Sequence, residues 1–400
     1  MADFNPRTRF FPFALLAVFL AVLAGCNPQP PSALGPGHGP GSVTPVNVAL
    51  LVPSESGDRR QDMLAESLVQ AAQLAIADFG DGAQIDLRVY PTAGNPETAV
   101  QAVRQAAEDG ANIILGPLFS NATIAVSQEA ARNNLNVLSF SNNPEVAGGN
   151  VYVLGISFQN TANQLIAHAS SQGLSRIAVV AAQNQAGRLA AGAVATAAVI
   201  NGARVVGVAT YELTATGAID AMPIIRRTVA ESLPDAVVID ADSAGALPIF
   251  AEMLPGPGTD EISMPEDIQY IGLTRWDIPK ATLRHEGLQG GWFALPDPGL
   301  YDAFVVRFHN AYGKRPHILA GLAYDGIQLI GTLAQSSAPD TLSARRLTRA
   351  EGFVGVNGAF RLRPDGTVVR RLAIAEVRDG WIEIIDPAEL PSGGATRAGS

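Results

Sequence analysis

The feature that most constrains the fold is a short apolar run, Ile113–Leu115, that ends in Gly116-Pro117 and leads into a helical pattern. An apolar run of this length is typical of a buried parallel strand, which delivers the following polar residues to the edge of its sheet. The pattern recurs farther along the chain, where Val137–Phe140 is followed by Ser141 and Asn142. Because ligands bind at this edge in open α/β sheets, the two strand ends predict half of a cleft between two lobes.

The alternation of strand and helix patterns continues along most of the chain. Strand patterns occur at 46–52 and 85–90, and a second series follows at 150–155, 176–181, 204–210, 236–240 and 268–274. Strands that alternate with helices predict parallel sheets with right-handed crossovers. Since 400 residues are too many for one ordinary core, the predicted fold class is α/β with two doubly wound lobes.

The βα series ends near residue 290. Two helical patterns, 300–312 and 318–334, follow each other without a strand between them. A hairpin pattern then covers 360–362 and 368–377, and the last strand pattern lies at 381–385.

The N-terminal residues have the order of a secretory signal. Arg7 and Arg9 precede an apolar run over 10–22, which ends in Leu23–Cys26. The 16 residues from 10 to 25 are fewer than the ~20 that a membrane-spanning helix needs. The ending Leu-Ala-Gly-Cys resembles a lipobox, which implies cleavage before Cys26 and acylation of this cysteine. The alternative is an ordinary signal peptide with an accidental cysteine.

The sequence therefore predicts a lipoprotein signal peptide over 1–25 and a lipidated, flexible tether over 26–45, which is rich in proline and glycine. It predicts a disordered tail over 387–400. In Gram-negative lipoproteins, Asp after the cysteine usually indicates retention in the inner membrane, so Asn27 favours the outer membrane. The predicted location is the cell envelope, where a lipid anchor in the membrane holds a periplasm-facing lipoprotein.

Composition excludes two classes of function. The net charge is −10, and the only lysines are Lys280 and Lys314, so no basic run is available for a nucleic acid partner. Cys26 is the only cysteine, which rules out an intrachain disulfide and a CxxC metal or redox site.

The usual catalytic signatures are missing from the sequence. It contains no GxSxG, HExxH, GxxxxGK[ST] or SxxK motif, and its five histidines include no pair at metal-ligand spacing on one helix. We therefore predict a protein that is not an enzyme and that has neither a cofactor nor a metal site.

Polar and aromatic residues cluster instead at the predicted strand ends. Hydroxyl groups and free backbone N–H groups at a helix N-terminus suit a carboxylate, and aromatic side chains can close over an apolar substituent. Taken singly, each residue could equally be a helix cap, and Asp240 in particular could belong to a loop before the next helix. The predicted ligand-binding residues are Ser54, Ser120, Ser141, Asn142, Ser157, Phe158, Asp240, Arg275 and Trp276.

Several of these segments resemble one known family. Their order and spacing are similar to those of the type I periplasmic binding proteins of the leucine/isoleucine/valine-binding group. The segments that carry the resemblance are Val46–Pro53, Ala75–Asp78, Ile114–Pro117, Val137–Pro144 and Ala323–Gly326.

The resemblance implies two Rossmann-like lobes joined by three crossovers, with the ligand between them. Lobe 1 would comprise 46–155 and 291–338, and lobe 2 would comprise 156–290 and 339–386. In amino-acid binders of this group, hydroxyl groups at the positions of Ser120 and Ser141 hold the ligand carboxylate, and an acid of lobe 2 holds the ammonium group.

The loop that should provide this acid begins with Thr274 and Arg275. Either Asp277 or Asp240 takes its place, or the ligand is not an α-amino acid, or no small ligand binds.

The lipobox and Asn27 favour one branch of the family, which resembles the penicillin-binding-protein activators. This branch implies a non-catalytic lipoprotein that regulates peptidoglycan synthesis, with a bifunctional penicillin-binding protein as its partner. The alternative is the substrate-binding protein of an ABC transporter for branched-chain or related amino acids. Its partners would be a small amino-acid-like ligand and an ABC permease.

Overall fold

The computed structural model describes residues 45–241, 245–254, 262, 264–265, 267–336 and 340–388. The predicted signal peptide, the predicted tether apart from residue 45, and residues 389–400 of the predicted tail lie outside this part of the chain. Cys26 therefore lies outside it as well. Within the described ranges, no helix is both long and apolar enough to cross a membrane.

Strands and helices alternate along the described chain. The strands are β1 Val46–Val52, β2 Ile85–Pro91, β3 Ile113–Leu115, β4 Asn136–Ser139, β5 Val151–Val153, β6 Arg176–Ala182, β7 Arg204–Tyr211, β8 Ala236–Ile239, β9 Gln269–Gly272, β10 Trp292–Leu295, β11 Phe353–Gly355, β12 Gly358–Leu362, β13 Val368–Arg370, β14 Ala373–Arg378 and β15 Trp381–Asp386. The α-helices are α1 Arg59–Phe79, α2 Pro96–Glu108, α3 Ser120–Arg132, α4 Phe158–Ser171, α5 Gln185–Ile200, α6 Ala215–Ser232, α7 Leu247–Met253, α8 Pro298–Tyr312, α9 Ala320–Ala334 and α10 Ala344–Leu347.

Capping residues in the sequence determine where many of the helices begin. The Asn95 side chain accepts hydrogen bonds from the first-turn N–H groups of α2, and Pro96 occupies the first helical position. Asp58 caps α1 and Ser157 caps α4 in the same way. α3 differs, because its N-cap residue is Phe119, whose side chain accepts no hydrogen bond.

Lobe 1 is built on a five-stranded parallel sheet with the strand order β2-β1-β3-β4-β5. Alternate residues of β1 point to opposite faces, as the strand period of two requires. Val48 and Leu50 pack with α1 and α9, whereas Ala49 and Leu51 pack with α2 and α3. Because helices cover both faces, the strands are nearly continuous apolar runs, and the lobe is Rossmann-like.

Lobe 2 is built on a seven-stranded sheet with the strand order β15-β14-β10-β9-β8-β6-β7. Strands β6 to β10 run parallel, and β14 adds an antiparallel pair at one edge. Apolar clusters cover both faces of this sheet, with α6 and α7 on one side and α4 and α5 on the other. The α/β class with two Rossmann-like lobes, predicted from the sequence, is confirmed.

The chain passes between the lobes three times. It leaves lobe 1 between β5 and α4, returns between β10 and α8, and leaves again between β13 and β14. At the third crossover only Arg371 and Leu372 separate two strands that belong to different sheets. All three crossovers therefore lie near the space between the lobes.

Two of the predicted lobe boundaries differ from this arrangement. β10 falls within 291–338, which was assigned to lobe 1, but it pairs with β9 and β14 in the lobe 2 sheet. Strands β11 to β13 fall within 339–386, which was assigned to lobe 2, but Phe353, Phe360 and Val368 share the apolar core of lobe 1. The sequence pattern over 368–377 does not reveal that the chain changes lobe at Arg371, because only two residues separate β13 from β14.

Candidate functional site

A cavity of about 560 Å³ lies between the two lobes. Lobe 1 contributes the residues that follow β3 and β4, and lobe 2 contributes the residues that follow β9 and β10. In both lobes these are the carboxyl ends of parallel strands, where ligands bind in open α/β sheets. Five of the predicted site residues line this cavity, namely Ser120, Ser141, Asn142, Phe158 and Arg275.

Two serine hydroxyl groups form the polar part of the lobe 1 wall. Ser120 Oγ lies 2.9 Å from Ser141 Oγ, and Ser141 Oγ also accepts a hydrogen bond from Asn143 N at 3.1 Å. Ser120 is the first residue of α3, whose N-cap residue Phe119 provides no side-chain acceptor. The N–H group of Ala122 donates to Asn121 Oδ1 at 2.8 Å. The N–H groups of Ser120 and Asn121 and the positive end of the helix dipole remain at this end of α3, and together with the serine pair they suit an anion.

A third serine, Ser139, holds this pair in place. Its hydroxyl donates to Pro117 O at 3.1 Å and lies 2.7 Å from Thr123 Oγ1, while Ser141 N donates to Ser139 Oγ at 3.1 Å. The loops after β3 and β4 are thereby joined through one fully buried side chain. Ser139 is not among the predicted site residues, although its hydroxyl group within the apolar run Val137–Phe140 is a sequence signal for such a role.

Glycine at two positions allows the backbone segments around the pair to approach closely. Gly116 has a φ of +93°, and a Cβ atom there would lie 2.3 Å from Leu51 O. A Cβ atom on Gly155, at the first crossover, would lie 2.4 Å from Ser141 O. Both distances are too short for any other residue, so Gly116 sets the position of the loop that carries Ser120, and Gly155 sets that of the loop that carries Ser141.

Arg275 provides the charged group of the lobe 2 wall, and an internal carboxylate pairs with it. Its Nε donates to Asp277 Oδ1 at 2.8 Å, and its Nη2 donates to Asp277 Oδ2. Asp277 therefore neutralises Arg275 and does not itself line the cavity. Among the described residues that do line it, none is an aspartate or a glutamate.

Asp240 does not reach the cavity either. It is 8% exposed, and burial raises its pKa to about 6. Tyr211 Oη donates to its backbone oxygen at 3.0 Å, which fixes the strand end and leaves the carboxylate buried in lobe 2. Of the two predicted substitutes for an ammonium-binding acid, one is paired with arginine and the other is enclosed away from the cavity.

Trp276 was predicted to be a cleft residue, but it belongs to the core of lobe 2. The side chain is fully buried, and its ring centroid lies 6.0 Å from that of Phe293. It occupies the space that two glycines leave free, because a Cβ atom on Gly272 or Gly291 would lie within 2.4 Å of the indole ring. The sequence identified the aromatic residue at a strand end but not the direction of its side chain.

Two predicted serines also lie away from the cavity lining. Ser157 Oγ accepts from Asn160 N at 3.2 Å, so it is the helix cap that the alternative interpretation expected. Ser54 contributes its backbone oxygen to Ala93 N at 3.0 Å, and it is not among the lining residues.

Several lining residues were not predicted, because they come from segments that are remote in sequence. Tyr301 lies on α8, Leu319 and Leu322 lie at and beyond the start of α9, and Asn357 lies in the turn between β11 and β12. Burial raises the pKa of Tyr301 above its ordinary value. None of these residues follows a parallel strand, so the strand-end pattern gave no signal for them.

The arrangement of two Rossmann-like lobes around a cleft defines a class of binding proteins. The sequence profile of the periplasmic binding protein family matches residues 45–381. The chain therefore belongs to the periplasmic binding protein family, and its relatives are binding proteins of the periplasm and cell envelope, not enzymes. Among curated proteins, none matches the chain.

Solved structures share the fold at low sequence identity. A putative branched-chain amino acid ABC transporter protein from Rhodospirillum rubrum has a TM-score of 0.72 and 15% identity, over 86% of this chain and 100% of that chain. A substrate-binding protein from Desulfitobacterium hafniense in complex with Leu has a TM-score of 0.62 and 20% identity, over 86% and 100%. A solute-binding protein from Rhodopseudomonas palustris in complex with 3,4-dihydroxybenzoic acid has a TM-score of 0.59 and 18% identity, over 86% and 98%.

Proposed function

We propose that this protein is the substrate-binding protein of an ABC transporter, and that it binds a small carboxylate with an apolar body. The observation that carries the proposal is the Ser120–Ser141 pair at the N-terminus of α3, facing a cavity between the lobes. A carboxylate would accept hydrogen bonds from both hydroxyl groups and from first-turn N–H groups. Leucine, isoleucine and phenylalanine side chains form much of the remaining lining and suit an apolar substituent.

The lobe 2 wall favours a ligand without an ammonium group. A buried ammonium needs an acid or several acceptors to replace its hydration. The lining instead contains Arg275 and, among the described residues, no carboxylate. An aliphatic or aromatic acid of the size of leucine therefore fits the electrostatics better than leucine itself.

The comparisons support a carboxylate ligand in general terms. The Desulfitobacterium hafniense protein is named with Leu, and the Rhodopseudomonas palustris protein is named with 3,4-dihydroxybenzoic acid. Both compounds carry a carboxylate on a largely apolar body. The partner in transport would be an ABC permease, which would receive the ligand from the cleft.

Isothermal titration calorimetry of the purified protein tests the proposal. The probes are 4-methylpentanoate, benzoate and leucine, of which 4-methylpentanoate is leucine without its ammonium group. We expect 4-methylpentanoate or benzoate to bind more tightly than leucine. Since a hydrogen bond to a charged group contributes ~1.5–3 kcal/mol, Ser120→Ala and Ser141→Ala should each weaken binding by about tenfold to a hundredfold.

Ser127→Ala is the matched control, because Ser127 lies on the same helix and its hydroxyl donates to Ile124 O outside the cavity. Its affinity should equal that of the unmodified protein. If none of the three acids binds, the transport proposal is wrong. Tighter binding of leucine than of 4-methylpentanoate would instead support the amino-acid specificity that the sequence analysis offered as its alternative.

A second candidate function is regulation of peptidoglycan synthesis through a bifunctional penicillin-binding protein. The sequence Leu23–Cys26 with Asn27 supports it, because it predicts an outer-membrane lipoprotein. The lack of an acid among the described residues that line the cavity supports it as well. None of the compared structures described above is named for that role, so they favour the transport receptor. Failure to bind any acid, together with specific capture of a purified bifunctional penicillin-binding protein, would favour regulation.

A further inference from the structure

Asn357 is a buried polar residue of the cleft that has no part in the proposed carboxylate site. It lies in the turn between β11 and β12, is 5% exposed, and lines the cavity on the lobe 1 side. A buried amide normally has partners for both its NH₂ group and its oxygen. The partners of Asn357 therefore indicate which of its atoms is available to a ligand.

A buried carboxylate fixes the orientation of the Asn357 amide. Asp325 Oδ2 lies 3.0 Å from Asn357 Nδ2 and 2.7 Å from Arg370 Nη1, and Asp325 Oδ1 accepts from Val356 N at 2.7 Å. Arginine and backbone N–H groups only donate, so Asp325 acts as an acceptor on both oxygens. The Asn357 atom that faces Asp325 must then be its NH₂ group, and the amide cannot be reversed without losing this bond.

This orientation leaves Asn357 Oδ1 for the cavity. The oxygen accepts no hydrogen bond from the described residues. It is thus the side-chain acceptor of Asn357 without a described partner, in a residue that lines the cavity. An acceptor in such a place requires a donor from the molecule that fills the cavity.

We infer that Asn357 accepts a hydrogen bond from a hydroxyl group of the ligand, so the preferred ligand is a hydroxylated carboxylate. The inference rests on the proposed function, in which the serine pair holds the carboxylate. A hydroxyl donor fits better than an ammonium because none of the described lining residues is an acid, and Asp277 is already paired with Arg275. A site built to pair with a hydroxyl group discriminates strongly against an analogue that lacks it.

Calorimetry with matched acids tests the inference. The first series is benzoate, its 3- and 4-hydroxy derivatives and the corresponding methoxy derivatives; the second is 4-methylpentanoate and its 2-hydroxy derivative. We expect at least one hydroxy acid to bind about tenfold more tightly than its parent acid, which corresponds to ~1.4 kcal/mol. A methoxy group, which cannot donate, should give no gain. Asn357→Ala should abolish the gain, so that the variant binds each hydroxy acid no more tightly than its parent acid.

Leu322→Ala is the matched control, because Leu322 lines the same cavity without a polar side-chain atom. It should weaken binding of parent and hydroxy acid equally. If the unmodified protein binds the parent acids but no hydroxy acid more tightly, the inference is wrong, whether or not Asn357→Ala folds. Retention of the gain in Asn357→Ala also overturns it. If no acid of either series binds, the proposed function fails and the inference fails with it.

Discussion

Two buried aspartates, one in each lobe, lie in opposite chemical surroundings. Asp325 in lobe 1 is fully buried but is surrounded by donors from Arg370, Asn357 and Val356. Asp240 in lobe 2 is 8% exposed, and no cation of the described chain pairs with its carboxylate. Because burial disfavours the charged form of an unpaired carboxylate, the pKa of Asp240 is raised from 3.8 to about 6.

The raised pKa of Asp240 predicts that its charge destabilises lobe 2 at neutral pH. Between pH ~4 and ~6 the native protein keeps a proton that the unfolded chain has released, so this residue's contribution to stability falls as the pH rises. A shift of about two units corresponds to at most ~3 kcal/mol. Asp240→Asn should therefore raise the free energy of unfolding at pH ~7.5 by up to ~3 kcal/mol, and by much less at pH ~4.5. Urea unfolding at both pH values measures this.

Asp365→Asn is a control, because its effect on the free energy of unfolding at neutral pH should have the opposite sign to that of Asp240→Asn. Hydrogen bonds from the Thr367 hydroxyl and backbone hold the pKa of Asp365 below its ordinary value. Its ionised form therefore stabilises the protein above the pKa of the unfolded state, and this contribution is lost as the pH falls. The Asn variant should be less stable than the parent at neutral pH. A difference between Asp240→Asn and the parent that is equal at both pH values would contradict the assignment to Asp240.

At the scale of residues, sequence reasoning could predict the kind of group at each strand end but not the direction of every side chain. Ser120 and Ser141 were predicted and line the cavity together. Trp276 was predicted by the same logic but turns into the core, because Gly272 and Gly291 leave room for its ring. Asn357 was missed because its position depends on a partner, Asp325, in another part of the chain.

At the scale of elements, Gly155 links a crossover to the binding loop. A methyl group at this position would meet Ser141 O at 2.4 Å and Phe140 O at 2.8 Å, both of them backbone atoms. We expect Gly155→Ala to displace the loop, to lower the free energy of unfolding by about 1–3 kcal/mol, and to weaken binding of 4-methylpentanoate. Urea unfolding and calorimetry on the same preparation measure the two effects.

Gly192→Ala is the matched substitution within a helix. Gly192 lies in α5, and a Cβ atom there would meet nothing within 4 Å. Alanine should therefore stabilise the protein by about 0.5–1 kcal/mol and leave binding unchanged. Unchanged binding in Gly155→Ala would show that the close approach of the crossover does not control the loop.

The assignment of elements to lobes could be predicted only in part. The parallel βα units follow one another in sequence, so local patterns were sufficient to find them. β10 joins lobe 2 through a parallel pairing with β9 and an antiparallel pairing with β14, and in the second of these Trp292 lies opposite Glu376. Such a pairing is set by tertiary contacts across a long stretch of chain, and the local pattern of either strand does not contain it.

Considering both lobes together, the fluorescence of the three tryptophans reports on one lobe alone. Trp276, Trp292 and Trp381 all belong to lobe 2, whereas the serine pair belongs to lobe 1. A ligand that contacts both lobes should therefore raise the free energy of unfolding of lobe 2, which tryptophan fluorescence reports, even though the serine pair that binds it lies in lobe 1. At a ligand concentration of 100 times the dissociation constant, the gain is ~2.7 kcal/mol.

Urea unfolding followed by tryptophan fluorescence measures this gain with 4-methylpentanoate. At the same ligand concentration, Ser141→Ala should reduce the gain to about 1.4 kcal/mol if its affinity is tenfold lower. Far-UV circular dichroism, which reports both lobes, should give the same midpoints. A ligand that moved the circular dichroism transition but not the fluorescence transition would show that it binds lobe 1 alone.

The pairing of β10 with β14 also has a consequence for how the protein is made. Translation completes Leu372, the last residue of the cavity lining, before it completes the strand that lies between β10 and β15. Until that strand emerges, β10 has an unpaired edge, and such edges recruit strands from other molecules. We therefore expect a premature stop codon just after Leu372 to yield a chain that has all the described lining residues but an open sheet edge, and that aggregates instead of binding ligand.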